Sequence, residues 1–211
     1  MRAILFDVNG TLLDTREHIF WQYEELTRQF DGAPASRKEI ADAMHGTVDD
    51  VIRSLVKNRD VAFHEVKAHH DKLHKQALTR LELYPGVDEL LPILRRVGFR
   101  IGAVTYGDAR VEEALDYTGI RHYFDIVVTD EHVDQPKPHP AGMMYALKHI
   151  GVEPHQAIVV GDSPADIAAG KHAGVEKTVA VLHGFGDQQT LQETEPDHLI
   201  EDIPSLLDVV E

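Results

Sequence analysis

The chain has 211 residues, enough for one full α/β domain with a small appendage, and its 43% hydrophobic and 27% charged residues place it among ordinary globular chains. A net charge of −15 disfavours docking on nucleic acid, which needs clustered Lys and Arg, and leaves room for cations. The absence of cysteine excludes disulfides and thiol catalysis. No apolar run approaches the ~18 residues of a membrane span, and "MRAILFDVNG" lacks a signal-peptide pattern, so no membrane partner and a cytoplasmic location are expected.

In chain order, "AILF" (3–6) reads as a first strand. From about 16 to 82 no strand is expected. Helical patterns there run 17–30, 37–45, 48–57 and 63–80, with Ser36 and Glu39 forming a capping box at the second. "ELYPGV" (82–87) marks a return to alternation: strands at 100–105, 125–129, 157–161 and 177–182, and helices at 87–97, 109–117, 140–150 and 164–173. Gly98, Gly119, Gly151 and Gly174 stand at or just past the ends of those helices as stop signals. Short Val/Ile-rich strands alternating with helices predict an α/β, Rossmann-like parallel sheet with helices on both faces. The expected domains are a core of 1–15 and 83–211 and an inserted α-helical cap of 16–82, lying over the ligand edge of the sheet.

Ligands of such sheets sit beyond the carboxyl ends of the strands. The polar residues falling there are Asp7, then Thr105 with Tyr106 and Gly107, and Asp162 with Asp166 in "GDSPAD"; Lys137 lies in "DQPKPHP" between strands three and four. The set suits phosphoryl transfer. Asp7 is a candidate nucleophile toward phosphorus. Asp7, Asp162 and a backbone carbonyl offer hard oxygens to Mg2+, and Lys137 adds a further positive charge. Thr105 and loop amides around Val8, Asn9, Gly10 and Tyr106 would hold the phosphate oxygens.

With "DVNGT" (7–11), "VT" (104–105), Lys137 in "KPHP" and "GDSPAD" (161–166) in this order, the sequence resembles the haloacid dehalogenase superfamily over nearly its whole length. "GDSPADIAAGKHAG", "HGFG" and "PDHLIEDIPSLL" look most like its phosphoglycolate phosphatase-like branch. The resemblance implies Asp7 as nucleophile and Asp162 as metal ligand. It gives Asp166 a supporting role at the metal, the backbone carbonyl of Asn9 as a further ligand, and Lys137 and Thr105 as phosphate binders. The expected activity is Mg2+-dependent hydrolysis of a small phosphorylated metabolite by a monomer or homodimer.

Asn9 departs from the pattern. Phosphatases of this family carry Asp there, as general acid on the leaving group and then general base on water. Asn cannot move that proton, yet its backbone leaves phosphate and metal binding intact. Three other readings of the substitution stay open: a 2-haloacid dehalogenase-like enzyme, disfavoured by the retained Asp162 and Asp166; a non-catalytic phospholigand-binding protein; and a deliberate replacement in an ordinary phosphatase. Elsewhere, Asp166 also fits as a first-turn helix acid. His70 and His74, four apart, read as a solvated helix face rather than a metal pair. "GFG" (184–186) reads as a loop near the site, not a dinucleotide motif. Phe20, Trp21 and Tyr23 are expected to pack cap against core, and His45–Gly46 is either a turn or a substrate contact.

Overall fold

The first apolar run forms β1 (Ala3–Phe6), buried at every residue. β2 (Leu13–Asp14) follows, then α1 (Arg16–Asp31), α2 (Arg37–Ala43), α3 (Val48–Leu55) and α4 (Phe63–Leu78). β3 (Glu82–Leu83) returns antiparallel to β2, with Leu13 opposite Leu83 and Asp14 opposite Glu82. Alternation then begins: α5 (Val87–Arg96), β4 (Arg100–Val104), α6 (Arg110–Tyr117), β5 (Ile126–Val128), α7 (Ala141–Ile150), β6 (Ala157–Gly161), α8 (Pro164–Ala173), β7 (Lys177–Val181), α9 (Gln188–Glu193), β8 (His198–Ile200) and α10 (Leu206–Val210). The structure is a computed structural model that describes residues 1–44 and 47–210, so the expectation for His45–Gly46 lies outside the described residues.

The main sheet is parallel, in the order β5-β4-β1-β6-β7-β8. Because side chains alternate along a strand, each strand feeds two cores. Leu5, Val104, Val128 and Val159 face α7 and α8 through Met143, Ala146, Leu147 and Ala169. Ile4, Phe6, Ile101, Ala103, Ile158 and Val160 point the other way and are equally buried, with α5 packed against β4. Burying a side chain of this size contributes roughly 1.5–3 kcal/mol, so the inner strands tolerate little change. β1 lies between β4 and β6, so the connections diverge on either side of it and open a crevice at its carboxyl end. Asp7 is the next residue after that strand.

The sequence reading missed the β2–β3 ribbon and β8. Its strand-free stretch of 16–82 gives way at Glu82, the first residue of β3. The expected helix stops hold: Gly151 and Gly174 cap α7 and α8 in the left-handed conformation. Chain contacts divide the molecule into Met1–Asp14 with Glu82–Glu211, and Thr15–Leu81. The helical unit has its own core of Tyr23, Leu26, Ile40, Val51, Ile52, Leu55 and Leu73, with Phe20 and Trp21 packed against it. Those aromatics therefore serve the helical unit itself. His70 is buried rather than solvated, and its ring nitrogen lies 2.8 Å from the Gln22 amide.

Candidate active site

After β1 the chain makes a tight turn. Asp7 N–H continues the ladder to the Val160 carbonyl at 2.9 Å, while Leu12 and Leu13 N–H return to the Val8 carbonyl and Gly10 N–H donates to Leu13. Gly10 has φ +88°, and a Cβ there would lie 2.4 Å from Asp162 Oδ2. A left-handed residue pressed on a carboxylate leaves room only for glycine.

Asp162 directly follows β6, and α8 opens with a capping box in which Ser163 and Asp166 satisfy each other. Asp166 Oδ2 accepts from Ser163 N–H and hydroxyl, while its Oδ1 accepts from Lys137 Nζ at 2.6 Å. It is thus both a first-turn helix acid and a site carboxylate. Lys137 Nζ also donates to Asp7 Oδ1 at 2.7 Å and to the Val104 carbonyl at 3.0 Å, which uses all three of its protons. Asp162 Oδ1 accepts from Thr11 Oγ1 at 2.9 Å and Oδ2 from Phe185 N–H at 2.6 Å. Among the described residues Asp7 Oδ2 has only a 3.5 Å contact with the Thr11 hydroxyl, whose proton goes to Asp162.

Asp7, Asp162, Asp166 and Lys137 are all at least 94% buried. One ammonium therefore faces three carboxylates. Burial raises the pKa of Asp7 to about 7, opposed by Lys137 and reinforced by Asp166 and Asp162. Burial and Asp166 raise Asp162 to about 6 against the pull of the Phe185 amide and the Thr11 hydroxyl. Burial works against the charge on Lys137, but Asp166 and Asp7 overcome it and hold the ammonium well above its usual range. The site is short of positive charge relative to its carboxylates. Oxygens of Asp7, Asp162 and Asp166 lie within 4.8 Å of one another, a hard donor set that fits Mg2+; among the described residues no other cluster of this kind occurs.

The other expected residues fall nearby, with two corrections. Gly10 N–H and Gly107 N–H are not available to a ligand, because the first donates to Leu13 and the second to Asp130 Oδ2 at 3.0 Å. Both are consumed in forming their turns. No backbone acceptor meets the amides of Val8, Asn9 and Tyr106 among the described residues. Thr105 is buried directly after β4. Asn9 is half-buried and bridges to Leu13. Sequence reasoning missed Thr11 and the amide of Phe185 as the donors that orient Asp162; "HGFG" did signal a loop at the site. It also missed His183, whose ring lies tilted against Tyr84 with centroids 4.0 Å apart and which meets the Thr11 carbonyl at 3.0 Å. A surface groove of about 880 Å3 between Asp130–Gln135 and α7 holds none of the three clustered carboxylates.

The chain matches the family described as haloacid dehalogenase-like hydrolase over residues 4–181. It is 33% identical over 209 residues to pyrophosphatase PpaX of Bacillus velezensis, across 98% of this chain and 95% of that protein. Against PpaX of Halalkalibacterium halodurans it is 30% identical over 219 residues, with 100% and 97% covered. Among solved structures, a predicted phosphoglycolate phosphatase from Haemophilus somnus superposes with a TM-score of 0.89 at 23% identity, covering 100% and 98% of the two chains. CbbY from Rhodobacter sphaeroides in complex with phosphate gives 0.80 at 22%, covering 96% and 94%.

Proposed function

The chain belongs to the haloacid dehalogenase-like hydrolases and is a phosphohydrolase of that family; on that premise we propose that it is Mg2+-dependent, works through an aspartyl-phosphate on Asp7, and favours substrates whose leaving group needs little protonation. The observation carrying this reading is the buried trio of carboxylates beyond β1 and β6, two of them, Asp7 and Asp166, bonded to one buried lysine. Asp7, Asp162 and Asp166, with the Asn9 carbonyl, would hold the ion. It would supply positive charge against the phosphoryl group that Asp7 must approach.

The remaining work falls to the chain's own groups. Lys137 fixes Asp7 by Oδ1 and leaves Oδ2, the less engaged oxygen, to attack phosphorus. The new Oδ2–P bond forms as the bond to the leaving oxygen breaks, and the electron pair departs with that oxygen. Thr105 and the amides of Val8, Asn9 and Tyr106 are the donors for the equatorial oxygens. Water then attacks phosphorus, the Oδ2–P bond breaks with its electron pair returning to Asp7 as a carboxylate, and the water's proton leaves with the phosphate product or passes to solvent.

Asn9 selects among substrates. A positioned acid or base contributes roughly 10²–10⁴ in rate, most where the leaving oxygen is basic. An alkoxide suffers its loss most. Phosphate or carboxylate leaves without help, so pyrophosphate and acyl phosphates are the substrates that suit this site, and the PpaX relatives are named for the first of these.

The test is phosphate release from alkyl phosphates, acyl phosphates and pyrophosphate, with Mg2+ or with chelator. Mg2+-dependent turnover should appear for the last two and be weakest for alkyl esters. Metal-free release of chloride from 2-chloropropionate would overturn the reading.

A further inference from the structure

Tyr106 presents a large aromatic side chain, 42% exposed, on the sheet edge directly after Thr105. Its side chain is nonetheless engaged twice, both times with Lys137. The phenol hydroxyl donates to the Lys137 backbone carbonyl. The ring face lies 5.0 Å from Lys137 Nζ, within the range of a cation–π contact.

These contacts complete a clasp between two loops. Val104 O receives Lys137 Nζ, Gly107 N–H donates to Asp130 Oδ2, and Asp130 N–H donates to the Gly107 carbonyl. The Lys137 backbone sits between two prolines, which carry no N–H to tie the loop down. Its carbonyl is held by the phenol. The ammonium has spent its three protons on Asp7, Asp166 and Val104, so a ring face, which asks for no proton, is the partner that can cover it further.

We propose that the Tyr106 side chain is a positioning residue for Lys137: the hydroxyl anchors the lysine's backbone and the ring shields its ammonium from water, keeping Nζ between Asp7 and Asp166. This role belongs to the side chain and is separate from any use of the Tyr106 amide. It rests on the phosphohydrolase reading only for its kinetic consequence, since the shielding is a property of the protein without substrate.

The experiment has two arms on the full chain. In the first, lysine acetylation by limiting acetic anhydride is quantified by peptide mass spectrometry for the wild type, Tyr106→Phe and Tyr106→Ala. Lys137 should be protected in the wild type, remain largely protected in Tyr106→Phe, and react about tenfold faster in Tyr106→Ala, with other lysines unchanged. Equal Lys137 labelling in all three proteins would overturn the proposal, as would a rise at every lysine, which reports general loosening. In the second arm, kcat and KM on an acyl phosphate are compared in wild-type and Lys137→Ala backgrounds. Tyr106→Ala should lower kcat about tenfold with KM little changed, and Tyr106→Phe should restore most of it. In Lys137→Ala the same substitution should cost nothing more. A full additional loss there would show that Tyr106 acts independently of the lysine. Absent turnover in every protein would count against the phosphohydrolase reading while leaving the labelling result to decide this one.

Discussion

Asp7 and Asp162 are carboxylates that burial holds protonated to unusually high pH, about 7 and about 6. In an unfolded chain an aspartate titrates near ~3.9. Between those limits the native state binds more protons than the unfolded one, so these groups make the metal-free protein less stable as pH rises from about 4 to about 7. A divalent cation held by these oxygens would compete with the protons for them. Thermal melts should therefore show Mg2+ raising the melting temperature more at about pH 8 than at about pH 5. An equal shift at both would place the ion elsewhere. Asp162→Ala should abolish Mg2+ binding in calorimetry, since its oxygens, oriented by Thr11 and Phe185, have no substitute in the cluster. Unchanged affinity would move the site away from "GDSPAD".

The loop between β7 and α9 shows how an element serves a single side chain. His183–Gly186 lies against Asp162, with Phe185 N–H on its Oδ2 and Gly186 N–H on its carbonyl at 3.1 Å. A Cβ on Gly184 would fall 2.2 Å from Asp162 Cβ. Gly184→Ala must displace one of the two, and because it disturbs a ligand's support rather than the ligand, Mg2+ affinity should fall by about 10–100-fold in calorimetry. At this scale legibility in the sequence divides by length and pattern. β1 and β6 are continuous apolar runs ended by turns, and β4 and β7 carry Ile/Val-rich runs after a charged first residue, so they announce themselves, and the chemistry-bearing residues follow because they sit at strand ends. β8 is only His198–Ile200 between polar residues, and β2 and β3 have two residues each, too short for any periodicity. Thr11 and the Phe185 amide were hidden for another reason. Their role comes from a meeting of segments 151 and 23 residues distant from Asp162, and a backbone amide leaves no mark in side-chain chemistry. The prior engagement of Gly10 and Gly107 N–H in turns was hidden in the same way.

At the scale of the whole molecule, the helical unit leaves and re-enters the chain through one ribbon. Asp14 and Glu82 are antiparallel partners, so the ends of the insertion are neighbours. Replacing Thr15–Leu81 by a two-residue Asn-Gly turn should close that ribbon without strain. The shortened chain should fold cooperatively and keep its stabilisation by Mg2+, because Asp7, Lys137, Asp162 and Asp166 all belong to the unit that remains. Loss of a cooperative melt would show that the helical unit is required for the sheet to form. The charge of −15 belongs to this scale too: it repels anionic substrates from the surface at large and makes positive charge within the site more valuable.

The central claim is that Asp7 takes up a phosphoryl group which Asn9 cannot help to remove. Its most direct test is peptide mapping of the protein after brief incubation with acetyl phosphate and Mg2+, alongside Asn9→Asp. The same map reads residue 9 as Asn or Asp and so excludes spontaneous deamidation at the Asn9–Gly10 pair. The phosphoryl group should be found on Asp7 and persist in the wild type, and be cleared roughly 10²–10⁴ times faster in Asn9→Asp. No phosphoryl group on Asp7 in either protein, or clearance at one rate in both, would contradict the account.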